Sequence, residues 1–337
     1  MRIALLAPVA LPVPPTGYGG TEVVVHLLAE GLTKRGHPVT LFATGDSRTS
    51  AELSFLFPRG LLGEGIEKKN ELFHLEAAHV SRALARAGEF DLVHDHTKCL
   101  GTILSSFVDT PCLTTIHNDF TLERLECYLA HPEHPFVSIS HAQARACPTL
   151  RYAGTVHNGI ELGEVPFMAQ KEDYLLFLGR LADCKGAHTA IELARKTERR
   201  LVLAGKIDDP AYFRRLEPSI DGQRIRYIGE VAGRQKWELL SQAQGLLFPI
   251  EWNEPFGLVM IEAMACGTPV LALDRGAVPE VVAHGRSGLV LPDATALLEG
   301  LRSLPQIDPH ACRDWVEERF SADAMVERYL EVYSRFR

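Results

Sequence analysis

Residues 253–270 read NEPFGLVMIEAMACGTPV. An apolar run sits here between two short apolar segments, GLLFPI (245–250) and PVLALD (269–274). The flanking segments have strand length and the run between them has helix length, so the reading is strand, helix, strand. Continuous apolar strands joined by helices make a parallel sheet covered on both faces. Two glutamates interrupt the pattern. Glu254 stands before Pro255, and Glu262 lies among Leu258, Val259, Met260, Ile261, Ala263, Met264, Ala265 and Cys266. Pro255 suits the first turn of a helix. Gly257 leaves the backbone N–H groups of Phe256, Gly257 and Leu258 accessible to an anion. Glu254 reads either as an electrostatic cap of that helix or as a ligand contact. Apolar neighbours on every helical face predict a buried helix, so Glu262 needs a partner: an internal Arg, or two hydroxyls of a sugar diol.

The same rhythm extends in both directions. Towards the C-terminus of the chain, strands are expected at 174–181, 200–205, 225–231 and 288–292, with helices over 186–198, 210–217 and 233–244. Towards the N-terminus, strands are expected at 3–10, 38–44, 91–96, 111–118, 136–140 and 154–160, with helices over 21–36, 71–88 and 99–108. The stretch 161–173 reads as a connector. Two doubly wound, Rossmann-like α/β domains facing a central cleft follow, bounded at 1–163 and 164–320. A last helix over 321–337 carries Met325, Tyr329, Val332, Tyr333 and Phe336 on one face and is expected to pack back across the junction.

Composition supports this. The 337 residues are 46% hydrophobic and 23% charged, as in soluble globular proteins, and the length favours two domains. A formal net charge of −8 argues against a nucleic-acid partner. Seven cysteines lack CxxC spacing and suit reduced thiols in a cytoplasmic protein. The opening MRIALLAPVALPV has one basic residue, and Pro8 and Pro12 break its apolar run; it reads as a first buried strand rather than a signal peptide. No run reaches the roughly 18 apolar residues of a transmembrane segment.

Ligands of doubly wound sheets sit beyond the carboxyl ends of the strands, and polar residues collect at those positions. Gly17, Gly19 and Gly20 follow the first strand. They read as an anion-approaching turn or simply as a flexible one, since the order G-Y-G-G-T-E does not match the dinucleotide fingerprint. His94 and His96 share a strand face. They read as hydrogen-bonded core residues or, with His117, as a metal site. His117 at its strand end could hydrogen-bond a hydroxylated substrate. Arg180 and Lys185 flank one strand-to-helix loop, and two cations at a helix N-terminus are what a diphosphate needs.

Taken in order, these residues resemble the retaining glycosyltransferases of family 4, with the GT-B fold. The stretch Glu254 to Val270 resembles the family's E-x7-E signature. Gly19-Gly20 resembles its N-terminal glycine loop, and Thr115-Ile116-His117 its sugar-contacting histidine. Val156-His157-Asn158-Gly159-Ile160, Gly179-Arg180-Leu181 with Lys185-Gly186, and Gly276-Ala277-Val278-Pro279-Glu280 match further family segments. The resemblance implies a donor diphosphate held by Arg180, Lys185, Gly19, Gly20 and the backbone N–H groups of Phe256, Gly257 and Leu258. It implies Glu262 on the ribose, Val231 near the nucleobase, and Glu254 and His117 as the catalytic pair at the transferred sugar. It further implies transfer from a nucleotide-diphosphate sugar to a hydroxyl acceptor with retention and without a metal or other cofactor, the N-terminal domain binding the acceptor and the C-terminal domain the donor. Glu161 and Ala277 depart from the family's usual Asp and Gly. A nucleotide-sugar epimerase, a metallohydrolase and a sugar-binding protein without turnover are the alternative readings.

Overall fold

A computed structural model describes residues 1–63 and 69–336. The chain divides into two compact units, Met1–Gly159 with Ala322–Arg337, and Ile160–Ser321. Arg337, the end of the helix expected over 321–337, lies outside the described residues.

The first unit is built on seven parallel strands: β1 (Ile3–Leu6), β2 (Val39–Ala43), β3 (Glu52–Phe55), β4 (Leu92–Asp95), β5 (Cys112–Ile116), β6 (Phe136–Ser138) and β7 (Tyr152–Thr155), in the order β3-β2-β1-β4-β5-β6-β7. β1, β2, β4 and β5 are buried throughout; β1 is wholly apolar, whereas the others also bury Thr40, His94, Asp95, Thr114 and Thr115. The C-terminal helix Ala322–Tyr333 buries Met325, Val326, Tyr329, Val332 and Tyr333 in this unit, beside the helix Gly20–Lys34. Arg35 clamps the pair through Asp323 at 2.9 Å and Glu327 at 2.8 Å.

The second unit has six parallel strands: β8 (Leu175–Leu178), β9 (Leu201–Ala204), β10 (Ile225–Tyr227), β11 (Gly245–Phe248), β12 (Val270–Leu273) and β13 (Gly288–Leu291). Their order is β10-β9-β8-β11-β12-β13, the doubly wound pattern with its reversal between β8 and β11. In the first unit the reversal falls between β1 and β4.

Several expectations need correction. The strand expected over 154–160 runs over Tyr152–Thr155, and Val156–Gly159 lie outside it. The edge strand β3 has no apolar run to announce it, because its residues are exposed or half-buried. The helices Leu122–Leu129, His141–Ala146, Ala294–Gly300 and Pro309–Phe320 add to the expected set. Pro255 is not helical: the helix after β11 spans Leu258–Ala265, with Gly257 left-handed at its N-cap (φ 83°). Among the described residues no helix is long and apolar enough to cross a membrane.

Candidate active site

The reversal point of the second unit brings together residues far apart in sequence. Because β8 and β11 are neighbours, the loops leaving their carboxyl ends meet. The β8 loop carries Arg180 and, in a single 3-10 turn (Asp183–Lys185), Lys185; Gly186 then caps the helix Ala187–Lys196. The β11 loop carries Trp252, Glu254 and Gly257. Lys185 Nζ donates to Glu254 Oε2 at 2.6 Å, and the Trp252 indole Nε1–H donates to the same oxygen at 3.0 Å. Lys185 Nζ also stands 4.8 Å from the centre of the Trp252 ring. The pair is only 15% and 12% exposed, so solvent screens it little.

Arg180 does not share this partner. Its guanidinium pairs with Asp208 in the loop after β9. Each cation proposed for a diphosphate is therefore matched with a carboxylate, a pairing that spacing alone does not reveal. Glu262 is also resolved differently from expectation. It is neither deeply buried nor paired with an arginine: Lys236 Nζ, from the helix Gly233–Gln242, donates to Glu262 Oε1 at 2.8 Å, with side chains 25% and 18% exposed. In its helix Met260, Ile261, Ala263, Met264 and Ala265 are fully buried, whereas Glu262 is half-buried, as are Leu258 and Val259. Val231 lies half-buried in the loop between β10 and the Gly233–Gln242 helix. Phe256 is buried and packs edge-on against Phe320, with ring centres 5.9 Å apart. In the first turn, the Met260 N–H donates to the carbonyl of the N-cap Gly257 at 3.0 Å, and the N–H groups of Leu258 and Val259 precede the first turn's own carbonyls.

The loop after β12 completes the arrangement. Ala277 N–H donates to the Glu254 carbonyl at 2.9 Å, and Gly276 passes so close that a Cβ would lie 2.4 Å from the Glu254 carbonyl oxygen and 2.5 Å from its nitrogen. Gly276 also has φ 55°, where only glycine is unstrained. Trp252, Lys236, Asp208 and Gly276 are contributors that sequence reasoning did not assign. Gly276 alone left a trace, as part of the segment Gly276-Ala277-Val278-Pro279-Glu280.

The first unit has its own polar cluster at its reversal point. His94 is buried, with Nδ1 on the Tyr333 hydroxyl at 2.6 Å and Nε2 on Thr115 Oγ1 at 2.7 Å. Both ring nitrogens are committed to the core, which excludes His94 from a metal site shared with His96 and His117. His96 Nδ1 lies 2.8 Å from His117 Nε2, and the His94 and His96 rings lie tilted at 44° with centres 4.1 Å apart. Burial holds all three imidazoles in the neutral form: His94 and His96 titrate well below the usual range, and His117 is pushed down to about 3, with Lys98 adding to the effect. Asp95, on the opposite strand face, accepts from Thr97 N–H at 2.8 Å and Thr114 Oγ1 at 3.0 Å; burial raises its carboxyl to about 7. Gly19 caps the helix beginning at Gly20, which continues from the loop after β1.

Comparison with known proteins gives the family and the fold. Residues 18–164 match the model of Glycosyltransferase Family 4, and residues 163–319 match that of Glycosyl transferases group 1. The chain belongs to the GT-B glycosyltransferases. It is 27% identical to a phosphatidyl-myo-inositol mannosyltransferase of Mycobacterium tuberculosis, over 98% of this chain and 93% of that protein. Its fold is similar to AviGT4, a glycosyltransferase involved in avilamycin A biosynthesis, with a TM-score of 0.75 and 26% identity, covering 99% of this chain and 97% of that one. The Anabaena protein HepE, solved in complex with UDP and glucose, shares the fold at a TM-score of 0.75 and 19% identity, over 99% of each chain. In this GT-B glycosyltransferase the Lys185–Glu254 pair lies at the β8/β11 reversal, where doubly wound folds hold their ligands.

Proposed function

We propose that this protein is a retaining glycosyltransferase that moves a sugar from a nucleotide-diphosphate sugar to a hydroxyl acceptor, without a metal. The observation that carries this reading is the Lys185–Glu254 pair at the reversal point of the second unit, beside the N-terminus of the Leu258–Ala265 helix. A diphosphate is a stronger partner for Lys185 than a carboxylate, because it presents several anionic oxygens and double the charge. Its arrival draws Lys185 from Glu254 and Arg180 from Asp208, and the helix N-terminus adds its partial positive charge. Glu254, released from one of its two donors, accepts from hydroxyls of the transferred sugar. Glu262 accepts from the ribose hydroxyls, and Val231 lies against the base. Charge growing on the leaving diphosphate is met by fixed cations and N–H dipoles, so a metal is not required for it. The acceptor hydroxyl attacks from the face the diphosphate leaves and passes its proton to the departing phosphate oxygen, so the nucleoside diphosphate leaves and the anomeric configuration is preserved. The first unit binds the acceptor.

The likeness to HepE, which binds UDP, supports a nucleotide donor. All seven cysteines are free thiols, which supports a cytoplasmic setting. The test is a calorimetric screen against UDP-, GDP-, ADP- and dTDP-sugars, followed by transfer assays with the donor that binds. Product NMR should show the donor's anomeric configuration, and chelator should leave the rate unchanged. Failure of every donor to bind removes the proposal; an inverted product or a chelator-sensitive rate removes its mechanism.

A further inference from the structure

We infer that Trp252 is a positioning residue for this reaction, the fixed point about which Lys185 exchanges Glu254 for the donor diphosphate. The inference rests on the proposed transfer reaction and adds a residue to it. Trp252 touches both members of the pair by different parts of one side chain. Its indole N–H donates to Glu254 Oε2, and its ring face lies under the Lys185 ammonium. Glu254 Oε2 thus accepts from two donors. Among the described residues no hydrogen bond reaches Glu254 Oε1, which leaves that oxygen for a ligand hydroxyl. When Lys185 turns to the diphosphate, Glu254 loses its cation in a poorly exposed site, where an unpartnered carboxylate is unfavourable. The indole N–H keeps the carboxylate hydrogen-bonded and in place through that exchange. The ring meanwhile holds the ammonium by cation–π attraction with either partner. A rigid two-torsion side chain serves both contacts at a lower entropic cost than two flexible ones.

The two contacts are separable. Trp252→Phe keeps the ring and removes the N–H; Trp252→Leu removes both. The Phe variant is expected to lose kcat by about tenfold or more with donor KM close to wild type, since a hydrogen bond to a charged group is lost. The Leu variant should show the same kcat loss and an added rise of a few-fold in donor KM. A readout independent of activity is the Trp252 indole N–H resonance, assigned by its absence in Trp252→Phe. It should shift in Glu254→Gln and again when nucleoside diphosphate is added. Wild-type kcat in Trp252→Phe, or an indole resonance indifferent to Glu254→Gln, would overturn the inference. A wild-type protein that transfers no sugar overturns the proposed function instead, and the resonance then decides the role of Trp252 alone.

Discussion

Gly276→Ala tests whether the loop after β12 sets the position of Glu254. Two separate effects are expected. The first is backbone strain: an alanine at φ 55° costs about 1–2 kcal/mol. The second is displacement. The new Cβ would lie 2.4 Å from the Glu254 carbonyl oxygen, whereas ordinary contacts begin at 3.4 Å, so the two loops must part by roughly 1 Å. Neither neighbour can yield by rotating a side chain, because the atoms met are the backbone of Asn253 and Glu254. A shift of that size at a reacting centre lowers rates by about 100-fold, equivalent to about 2.7 kcal/mol of transition-state stabilisation. Gly285→Ala is the control. Gly285 has φ 80° but nothing within 4 Å of a Cβ, so it carries the strain without the displacement. Urea unfolding should show both variants destabilised by similar amounts in the 1–2 kcal/mol range, with any excess in Gly276→Ala. Steady-state transfer assays should show the large kcat loss in Gly276→Ala only. Wild-type kcat in a folded Gly276→Ala variant, or an equal loss in Gly285→Ala, would refute the positioning argument.

Lys185→Ala should weaken nucleotide-sugar binding at least tenfold by calorimetry, since a charge-assisted contact to phosphate is lost; unchanged affinity would remove Lys185 from the diphosphate site. Glu254→Gln should lower kcat more than it weakens donor binding, and equal changes in both would deny it a transition-state role. Stability should fall on acidification below about pH 6.5. His79 and His134 are held down to about 4 and His117 to about 3, chiefly by burial, so the unfolded chain binds protons that the folded chain does not. Each such histidine lowers stability by about 1.4 kcal/mol per pH unit between its unfolded and folded pKa. Asp95 acts in the opposite sense between pH 7 and about 4, because burial raises its folded pKa to about 7, and it offsets one histidine. Urea titrations at pH 7, 6 and 5 check the net slope, and a flat profile would contradict the neutral, buried histidines.

How much of this was legible beforehand follows from which interactions are local. The strand–helix rhythm, the parallel sheets and the strand-end loops bearing Arg180, Lys185, Glu254 and His117 were readable in the sequence. Apolar runs, turn residues and helix-forming stretches act within a few residues of chain, so their signal survives in one dimension. The edge strand Glu52–Phe55 was not readable, because half-exposed residues carry no apolar run. The pairings were not readable either. Lys185 meets Glu254 across 69 residues, Lys236 meets Glu262 across 26, and His94 meets Tyr333 across 239. Each depends on which elements become neighbours. The second sheet places β11 beside β8, although β9 and β10 intervene in sequence. Sequence thus determined which residues could do chemistry and at which strand ends they stand. Only the tertiary structure decided that Lys185 joins Trp252 on one oxygen of Glu254, because strand order, not sequence spacing, sets the distance between the β8 and β11 loops.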